Sequence, residues 1–403
     1  MVLMEQICFQ RFFTQKKGFC MKLKFAFARK VAVGLMAVAV AAAGANAFAA
    51  NYTWKNGQTN LSRVWATASN WNPGVTPANG DSVFFGPGST GATAFQVNVG
   101  NTDTNAMASA TFTSAASAGY RVISSGGSLV LNGALVNNST ALNSQGTGKS
   151  SVLITNLKLD GDSTLSGSGA PTEVFSSIFG VGKKLTVTGN NLILDGATSE
   201  AKIEASTGST VSLSQSVTLA DFTVGPAGTV GGEPTRPAGE FFGTLGDGVI
   251  EFQNASTVNM GVLSEVSPGS TYDQFSTTGA ITFGGSLNID WAQVGSSTFA
   301  NYTSFDLFDG GSYAGNFSAV SLAGGVAPYD TLSFTQFGTE WSTQPFIGQG
   351  GQQQWLVFQA QTGNLVVVPE PSTIVFAGLG VAMSGWTMWK KRRLSKILAA
   401  KVA

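Results

Sequence analysis

Carboxylates are the side chains through which this chain could do chemistry, because its 403 residues include 22 Asp and Glu but no histidine. The two cysteines, Cys8 and Cys20, both lie close to the N-terminus. Ser-His-Asp and Cys-His nucleophile systems are therefore excluded, and zinc, copper and haem sites lose their usual ligands. The sequence also contains no phosphate-binding loop of the form G-x-x-x-x-G-K-[ST].

Two pairs of acids are spaced closely enough to share a ligand. Asp160 and Asp162 flank Gly161, and Asp306 lies three residues before Asp309. Carboxylate oxygens are the ligands that Ca²⁺ takes, but neither pair continues into the later ligand positions of a calcium-binding loop. We therefore interpret these acids as turn-stabilising residues that bond the local backbone. The sequence predicts no catalytic residue, no metal and no cofactor.

An enzyme acting on acidic polysaccharides would need acids clustered with basic side chains. Between Asn51 and Val368 the arginines are Arg63, Arg121 and Arg236, and none lies beside an acid pair in sequence. The same span carries nine Lys and Arg against 20 Asp and Glu, a net charge of −11. This charge argues against nucleic acid and anionic membrane surfaces as partners. Without a cysteine to form a disulfide, the span must be stabilised by a large core or by repetitive pairing.

The C-terminal tail combines an extended break, an apolar run and a basic cluster. The break contains Pro369, Glu370 and Pro371, the run extends from Ile374 to Trp389, and the cluster is Lys390, Lys391, Arg392 and Arg393. The two prolines keep the break extended, because they fix φ and lack N–H donors. As a helix the run would be about 24 Å long, at the short end for a bilayer core. The four cations predict a cytoplasmic C-terminus, residues 394–403, with the body outside.

This order of tripeptide, span and basic cluster, over residues 368–393, resembles the PEP-CTERM sorting signal of exported bacterial proteins. The resemblance implies that an exosortase-type membrane protease removes the tail near Pro369, Glu370 and Pro371. It also implies that the protein is then released or re-attached outside the cell. The alternative is an ordinary C-terminal membrane anchor, which would need no Pro-Glu-Pro in front of it.

The N-terminus predicts a secretory signal peptide over residues 1–50. Four cations (Lys22, Lys24, Arg29 and Lys30) precede the apolar run from Val31 to Ala43. Small residues then offer overlapping A-x-A cleavage sites around Ala47, Ala49 and Ala50. Signal peptidase and the general secretion machinery are the implied partners. Either Met1 or Met21 could start the chain, since Met21 opens a conventional signal peptide by itself.

The body predicts an all-β fold. Short runs of Val, Ile, Leu and Phe alternate with polar residues, as in Ser128–Val136 and Lys184–Leu194, and Gly, Asn or Ser breaks the alternation near the middle. Helical periodicity is missing. A right-handed parallel β-helix is favoured for residues 51–266, with 267–367 as a continuation or a small β cap. A β-sandwich of antiparallel hairpins is the alternative.

Two parts of the body carry a second resemblance. The opening segment contains Trp54, Trp65, Trp71 and the run Gly80–Phe85, and the later one contains Tyr272, Asp273 and the run Thr278–Asn288. Both are similar to autotransporter-associated β-strand repeat proteins, which implies an extended β-helical passenger. No membrane β-barrel translocator follows in this chain; the sorting tail takes its place. The three tryptophans could form a carbohydrate-stacking platform, but a cap over the first open coil is favoured.

Together these features predict an exported, non-enzymatic structural or adhesive protein of the cell surface or the extracellular biofilm matrix. It would be anchored transiently in the inner membrane and then released to the envelope or the medium. The alternative is a polysaccharide-binding or polysaccharide-processing β-helix protein, for which extracellular polysaccharide is the partner.

Overall fold

The structure is a computed structural model that describes residues 50–55, 64–86, 95–113, 119–142, 150–232, 241–262, 272–291, 300–323, 332–348 and 351–369. The all-β prediction is confirmed for these residues, which contain 30 strands, one 3-10 helix (Ala68–Asn70) and no α-helix. Nowhere in these ranges is a helix long and apolar enough to cross a membrane. The predicted leader up to Ala49 and the predicted span from Ile374 to Trp389 lie outside them.

Most strands belong to one sheet of 24 strands, in which the pairs are parallel except for β1 with β2 (Trp71–Asn72). Its pairs form three ladders. The first ladder contains β1 (Asn51–Trp54), β3 (Ser82–Phe85), β5 (Met107–Phe112), β7 (Leu129–Asn137), β9 (Ser163–Ser166), β11 (Lys184–Val187), β14 (Lys202–Ala205), β16 (Phe222–Val224), β19 (Ile250–Phe252), β21 (Gln274–Phe283) and β24 (Phe308–Gly315).

The second ladder contains β4 (Phe95–Gly100), β6 (Tyr120–Ser124), β8 (Val152–Leu159), β10 (Thr172–Phe179), β12 (Asn191–Asp195), β15 (Thr210–Thr218), β17 (Thr229–Gly232), β20 (Thr257–Gly261), β22 (Ser286–Asp290) and β25 (Ala319–Ala323). The third ladder joins parts of β7, β8, β10, β15, β21 and β24 with β13 (Thr198–Ser199) and β18 (Phe241–Thr244).

Partners in a ladder lie one repeat apart in sequence, and the repeat length varies. Leu192 pairs with Val211, 19 residues later, whereas Leu287 pairs with Val320, 33 residues later. Residue 266 is the predicted end of the β-helical part. The parallel pairing is present on both sides of this predicted boundary, because β20 pairs with β22 and β22 pairs with β25. A chain that returns to the same ladder once per repeat stacks each repeat on the one before it.

Successive side chains of a strand point to opposite faces of the sheet, and the side chains that point inward form a continuous core. In the second ladder the paired residues Val122, Ile154, Val174, Leu194 and Leu213 form one buried column, and each is at most 2 % exposed. Equivalent positions in successive repeats pack on one another in this column and must therefore carry apolar residues of similar size. This explains the recurrence of Val, Ile and Leu.

Polar side chains connect one repeat with the next. Asp103 accepts a hydrogen bond from the Ser128 amide (3.0 Å), and Asp221 accepts one from the Val249 amide (2.9 Å). Close backbone contact between repeats also requires glycine. A Cβ on Gly248 would collide with the carbonyl oxygen of Ala220 in the preceding repeat. The Asp, Asn and Gly residues between strands thus fix the stacking distance.

The N-terminal end of the large sheet is covered by aromatic residues. Trp71 is fully buried, and its ring centroid lies 4.9 Å from that of Trp54 and 4.7 Å from that of Trp65. The Trp71 indole N–H donates to the Trp65 carbonyl (2.9 Å), and the Trp65 amide donates to Asn98 in β4 (2.8 Å). These contacts favour the cap interpretation, because buried rings offer no stacking surface to a sugar.

A second sheet of six strands covers the other end. It contains β23 (Ser304–Asp306), β26 (Phe334–Phe337), β27 (Glu340–Thr343), β28 (Phe346–Ile347), β29 (Gln353–Gln359) and β30 (Asn364–Pro369), and its pairs are antiparallel. Phe358 packs its ring against Phe283, Phe308 and Phe317, with centroids 5.7–6.1 Å apart. This sheet, called the C-terminal sheet below, buries the last repeats.

Candidate functional site: the two ends of the body

The first residue of the predicted sorting tripeptide is the last residue of β30. Pro369 pairs with Gln354 of β29, and Val368 pairs with Trp355. On its other side, β30 pairs with β23 through Val366 and Ser304. The described part of the body therefore includes Val368 and Pro369. Glu370, Pro371, the run from Ile374 to Trp389 and the cations Lys390, Lys391, Arg392 and Arg393 lie outside the described residues.

Backbone hydrogen bonds hold β30 on both sides as far as Val367. The Val367 amide donates to the Thr303 carbonyl and the Val367 carbonyl accepts from the Tyr302 amide, both at 2.8 Å. Leu365 and Val367 are fully buried, which fixes the register of the strand. Pro369 has no N–H and cannot extend the ladder as a donor. The predicted tripeptide thus begins at the last described residue of β30.

The surroundings of Pro369 carry amides rather than charges. The Gln354 side-chain amide donates to Asn301 (2.6 Å), and the Asn301 amide donates to Gln352 (2.8 Å). From Trp341 to Pro369 the sequence contains no Asp, Glu, Lys or Arg. Glu370 is therefore the first charged residue after Glu340 in the sequence.

At the other end, Ala50 is the first described residue. Its amide donates to Asp81 Oδ1 (2.9 Å), and its carbonyl accepts from the Ser82 amide (3.0 Å). Ala47 and Ala49, the other residues of the predicted cleavage region, lie outside the described ranges. Of the predicted cleavage region, Ala50 is thus the residue whose contacts with the body are described.

The acids with metal-binding spacing take part in turns and in contacts between repeats. Asp162 Oδ1 accepts a hydrogen bond from the Lys184 amide in the next repeat (3.0 Å), and the Asp160 amide donates to the Leu131 carbonyl (2.7 Å). Asp309 accepts a hydrogen bond from the Ser276 hydroxyl (3.1 Å). In the part of the chain that is described, no three His, Cys, Asp or Glu side chains come together in a way that could hold a metal ion.

The pKa values of two acids, Asp103 and Asp306, are shifted in opposite directions. Partial burial alone would raise the pKa of Asp103, but the hydrogen bond and charge of Lys158, 2.7 Å away, hold it below its usual value. Burial raises the pKa of Asp306, and the nearby negative charge of Asp309 raises it further. Asp306 is thus the acid whose ionised form the fold disfavours.

Replacing Asp306 by Asn should raise the thermal unfolding midpoint at pH 7. Since the pKa of Asp306 is higher in the folded than in the unfolded protein, its ionisation costs stability above the folded pKa. The cost disappears as the pH falls below the unfolded value of about 3.9, so wild type and variant should converge near pH 3. Thermal unfolding at both pH values checks this expectation.

The matched control is Asp247→Asn, since Asp247 is exposed in a turn; it should leave both midpoints unchanged. A midpoint of Asp306→Asn at or below wild type at pH 7 would contradict the burial argument.

Sequence reasoning missed the contacts that acids make between repeats. It assigned Asp160 and Asp162 to turns, but the amide partner of Asp162 lies 22 residues away. It also left Arg121 without a role. The structure puts Arg121 in β6, paired with Gln96 and Leu153 of the neighbouring strands, whereas Arg63 and Arg236 lie outside the described residues. The recurrence of Asp and Asn just before strands was the available clue.

Among the described residues, acids pair with cations in Asp103–Lys158 and Glu204–Lys184 and accept hydrogen bonds from the hydroxyls of Ser150, Ser214 and Ser276. The sequence contains no histidine that could activate those hydroxyls. The candidate sites are therefore the predicted processing regions near Ala50 and Pro369. The chain matches no protein-family model, no curated protein and no solved structure, so its function is inferred from its own residues and their geometry.

Proposed function

We propose that this chain is an exported surface or extracellular-matrix protein with a structural or adhesive role. In this proposal its leader directs it through the inner membrane, and an exosortase-type enzyme then removes its C-terminal tail. The observation that carries the proposal is the position of Pro369 at the very end of β30. Cleavage after Pro369 would leave the residues that pair β30 with β23 and β29 in the body.

The body in this proposal is a right-handed parallel β-helix with a C-terminal sheet as its cap. Three parallel ladders support it. The buried column, to which five successive strands of the second ladder contribute one residue each, supports it as well. In the large sheet the antiparallel pair is β1 with β2, whereas a β-sandwich would be built from antiparallel hairpins throughout. Right-handed crossovers are the strongly preferred hand for parallel strands.

A parallel stack suits a structural role outside the cell. Successive repeats bury one another, so the body gains a long core without disulfides. Its net charge of −11 keeps copies apart in solution and away from anionic surfaces. These properties suit a long, stable and inert surface element.

Polysaccharide binding is the alternative function. The tryptophans that could have stacked on sugars are buried. The outward-facing amides of the second ladder bond to each other, since Asn288 donates to Asn259 (3.0 Å) and accepts from Ser321 (2.5 Å). Polar groups that already satisfy one another gain less from a sugar. The geometry therefore favours the structural role.

The released body should show no turnover of ester, peptide or glycan substrates. Purified protein from the culture medium can be incubated with a panel of such substrates, with immunolabelling of intact cells to locate the protein. We expect label on the outer surface or in the matrix and no product. Turnover that disappears with Asp160→Ala or Asp162→Ala would overturn the non-enzymatic role, and label confined to the cytoplasm would overturn export.

A further inference from the structure

We propose that the leader is cut between Ala49 and Ala50, and that the new α-ammonium of Ala50 forms an ion pair with Asp81 that locks the first repeat of the body. The Ala50 nitrogen lies 2.9 Å from Asp81 Oδ1. This inference rests on the proposed export, because export supplies the cleavage. It adds a defined processing site and a role for the end that processing creates.

Hydrogen bonds to other parts of the fold hold Asp81 next to the Ala50 nitrogen. It is only 7 % exposed, and its second oxygen, Oδ2, accepts a hydrogen bond from the Ala78 amide (2.7 Å). Its carbonyl accepts a hydrogen bond from the Ala108 amide of β5 (2.9 Å). Asp81 therefore connects the residue before β1 with the third strand of the first ladder. Among the described ion pairs, Lys158–Asp103 and Lys184–Glu204, none involves Asp81.

Cleavage changes the group that faces Asp81. Hydrolysis breaks the amide C–N bond, the hydroxyl of water goes to the Ala49 carboxyl group, and its hydrogen goes to the Ala50 nitrogen. The resulting amine takes up a proton near neutral pH. An amide with one N–H becomes an ammonium with three donors and a positive charge. A charge-assisted hydrogen bond to a largely buried carboxylate is stronger than the neutral bond that it replaces.

The other overlapping cleavage sites would not produce this pair. A cut after Ala47 leaves the Ala50 nitrogen as a neutral amide behind Phe48 and Ala49. A cut after Ala50 removes the residue whose carbonyl accepts the Ser82 amide bond. The site Ala47-Phe48-Ala49 fits the A-x-A rule and places the new charge at Asp81. The contact with Asp81 thus distinguishes between Ala45-Asn46-Ala47 and Ala47-Phe48-Ala49, which both fit the cleavage rule.

The first test is the N-terminus of the exported protein. Edman sequencing or intact mass of protein from the medium should give Ala50 as the first residue. An exported protein that starts at Phe48 or Asn51 overturns this inference and leaves the proposed export standing. A protein that keeps its leader and stays in the cytoplasm contradicts both.

The second test measures the coupling between processing and Asp81. In the processed protein, Asp81→Asn should lower the thermal midpoint more than it does in a cleavage-blocked form that carries Ala47→Leu and Ala49→Leu. Equal effects in both forms would overturn the ion pair. Asp247→Asn, in an exposed turn, is the matched control and should have no effect in either form.

A third measurement does not depend on the cleavage-blocked form. Acylation of the α-amine near neutral pH, followed by mass spectrometry, should be slow in the processed wild type. Asp81→Asn should speed it by roughly tenfold, since a charge-paired amine holds its proton more tightly. Equal rates in wild type and Asp81→Asn would contradict the proposal.

Discussion

The change Glu370→Ala should leave the protein in the inner membrane at its uncleaved mass. The span from Ile374 to Trp389 and the cations behind it are untouched, so insertion should proceed as before. What the variant lacks is the carboxylate between Pro369 and Pro371. Hydrogen bonds to a charged group contribute roughly 1.5–3 kcal/mol, so release into the medium should fall by about tenfold or more. Immunoblots of membrane and medium fractions measure it.

Ser372→Ala is the matched control for this prediction. Ser372 follows the tripeptide directly but carries no charge, so the variant should be cut and released like wild type. An ordinary membrane anchor gives a different pattern, in which wild type and both variants stay membrane-bound at full length. Release of Glu370→Ala at the wild-type level would show that the acid is not what the protease reads.

Phe252→Ala should destabilise the C-terminal half of the body by about 3–5 kcal/mol, the usual cost of removing a large buried ring. Phe252 is 1 % exposed and its ring centroid lies 5.7–6.4 Å from those of Phe275, Phe283, Phe308 and Phe317. These rings come from successive repeats and from the segment after β24, so the cavity would weaken several interfaces together. Urea unfolding and hydrogen exchange of the released body provide the measurement.

Val181→Ala supplies the comparison, because Val181 is 79 % exposed in a turn and its truncation should change stability by less than about 0.5 kcal/mol. Since repeats interact mainly with their neighbours, exchange should increase most around β19, β21 and β24 in the Phe252 variant. Similar small shifts for both variants would contradict the stacked core.

The strands could be predicted from sequence because alternation records which side chains face the core. Leu192 and Leu194 point inward and are fully buried, as their spacing by two predicts. The breaks in alternation had no interpretation from sequence alone. In β15, Thr210–Ser214 pair with β12, whereas Gln215, with φ of 62°, begins the part that pairs with β18. At such a break in alternation, one strand stops pairing in one ladder and begins to pair in another. The pairing register is needed to see this change.

The candidate sites were predictable to different degrees. The prolines of the tail predict an extended break; Pro369 is the last described residue of β30, and Glu370 and Pro371 lie outside the described residues. The partner of Asp162 could not be predicted, because repeat lengths vary and the Lys184 amide comes beside it only once the register is known. The contact between Ala50 and Asp81 spans 31 residues and has the same cause. Local patterns thus predict elements, while contacts between repeats need the stacked structure.

The most direct test of export and tail removal is the intact mass of the wild-type protein in the medium and in the inner membrane, measured in a cell that makes the tail protease. We expect a shortened form in the medium that lacks the leader and ends near Pro369, Glu370 and Pro371, and a membrane form that retains the tail. A wild-type protein that is never shortened at its C-terminus would contradict the account.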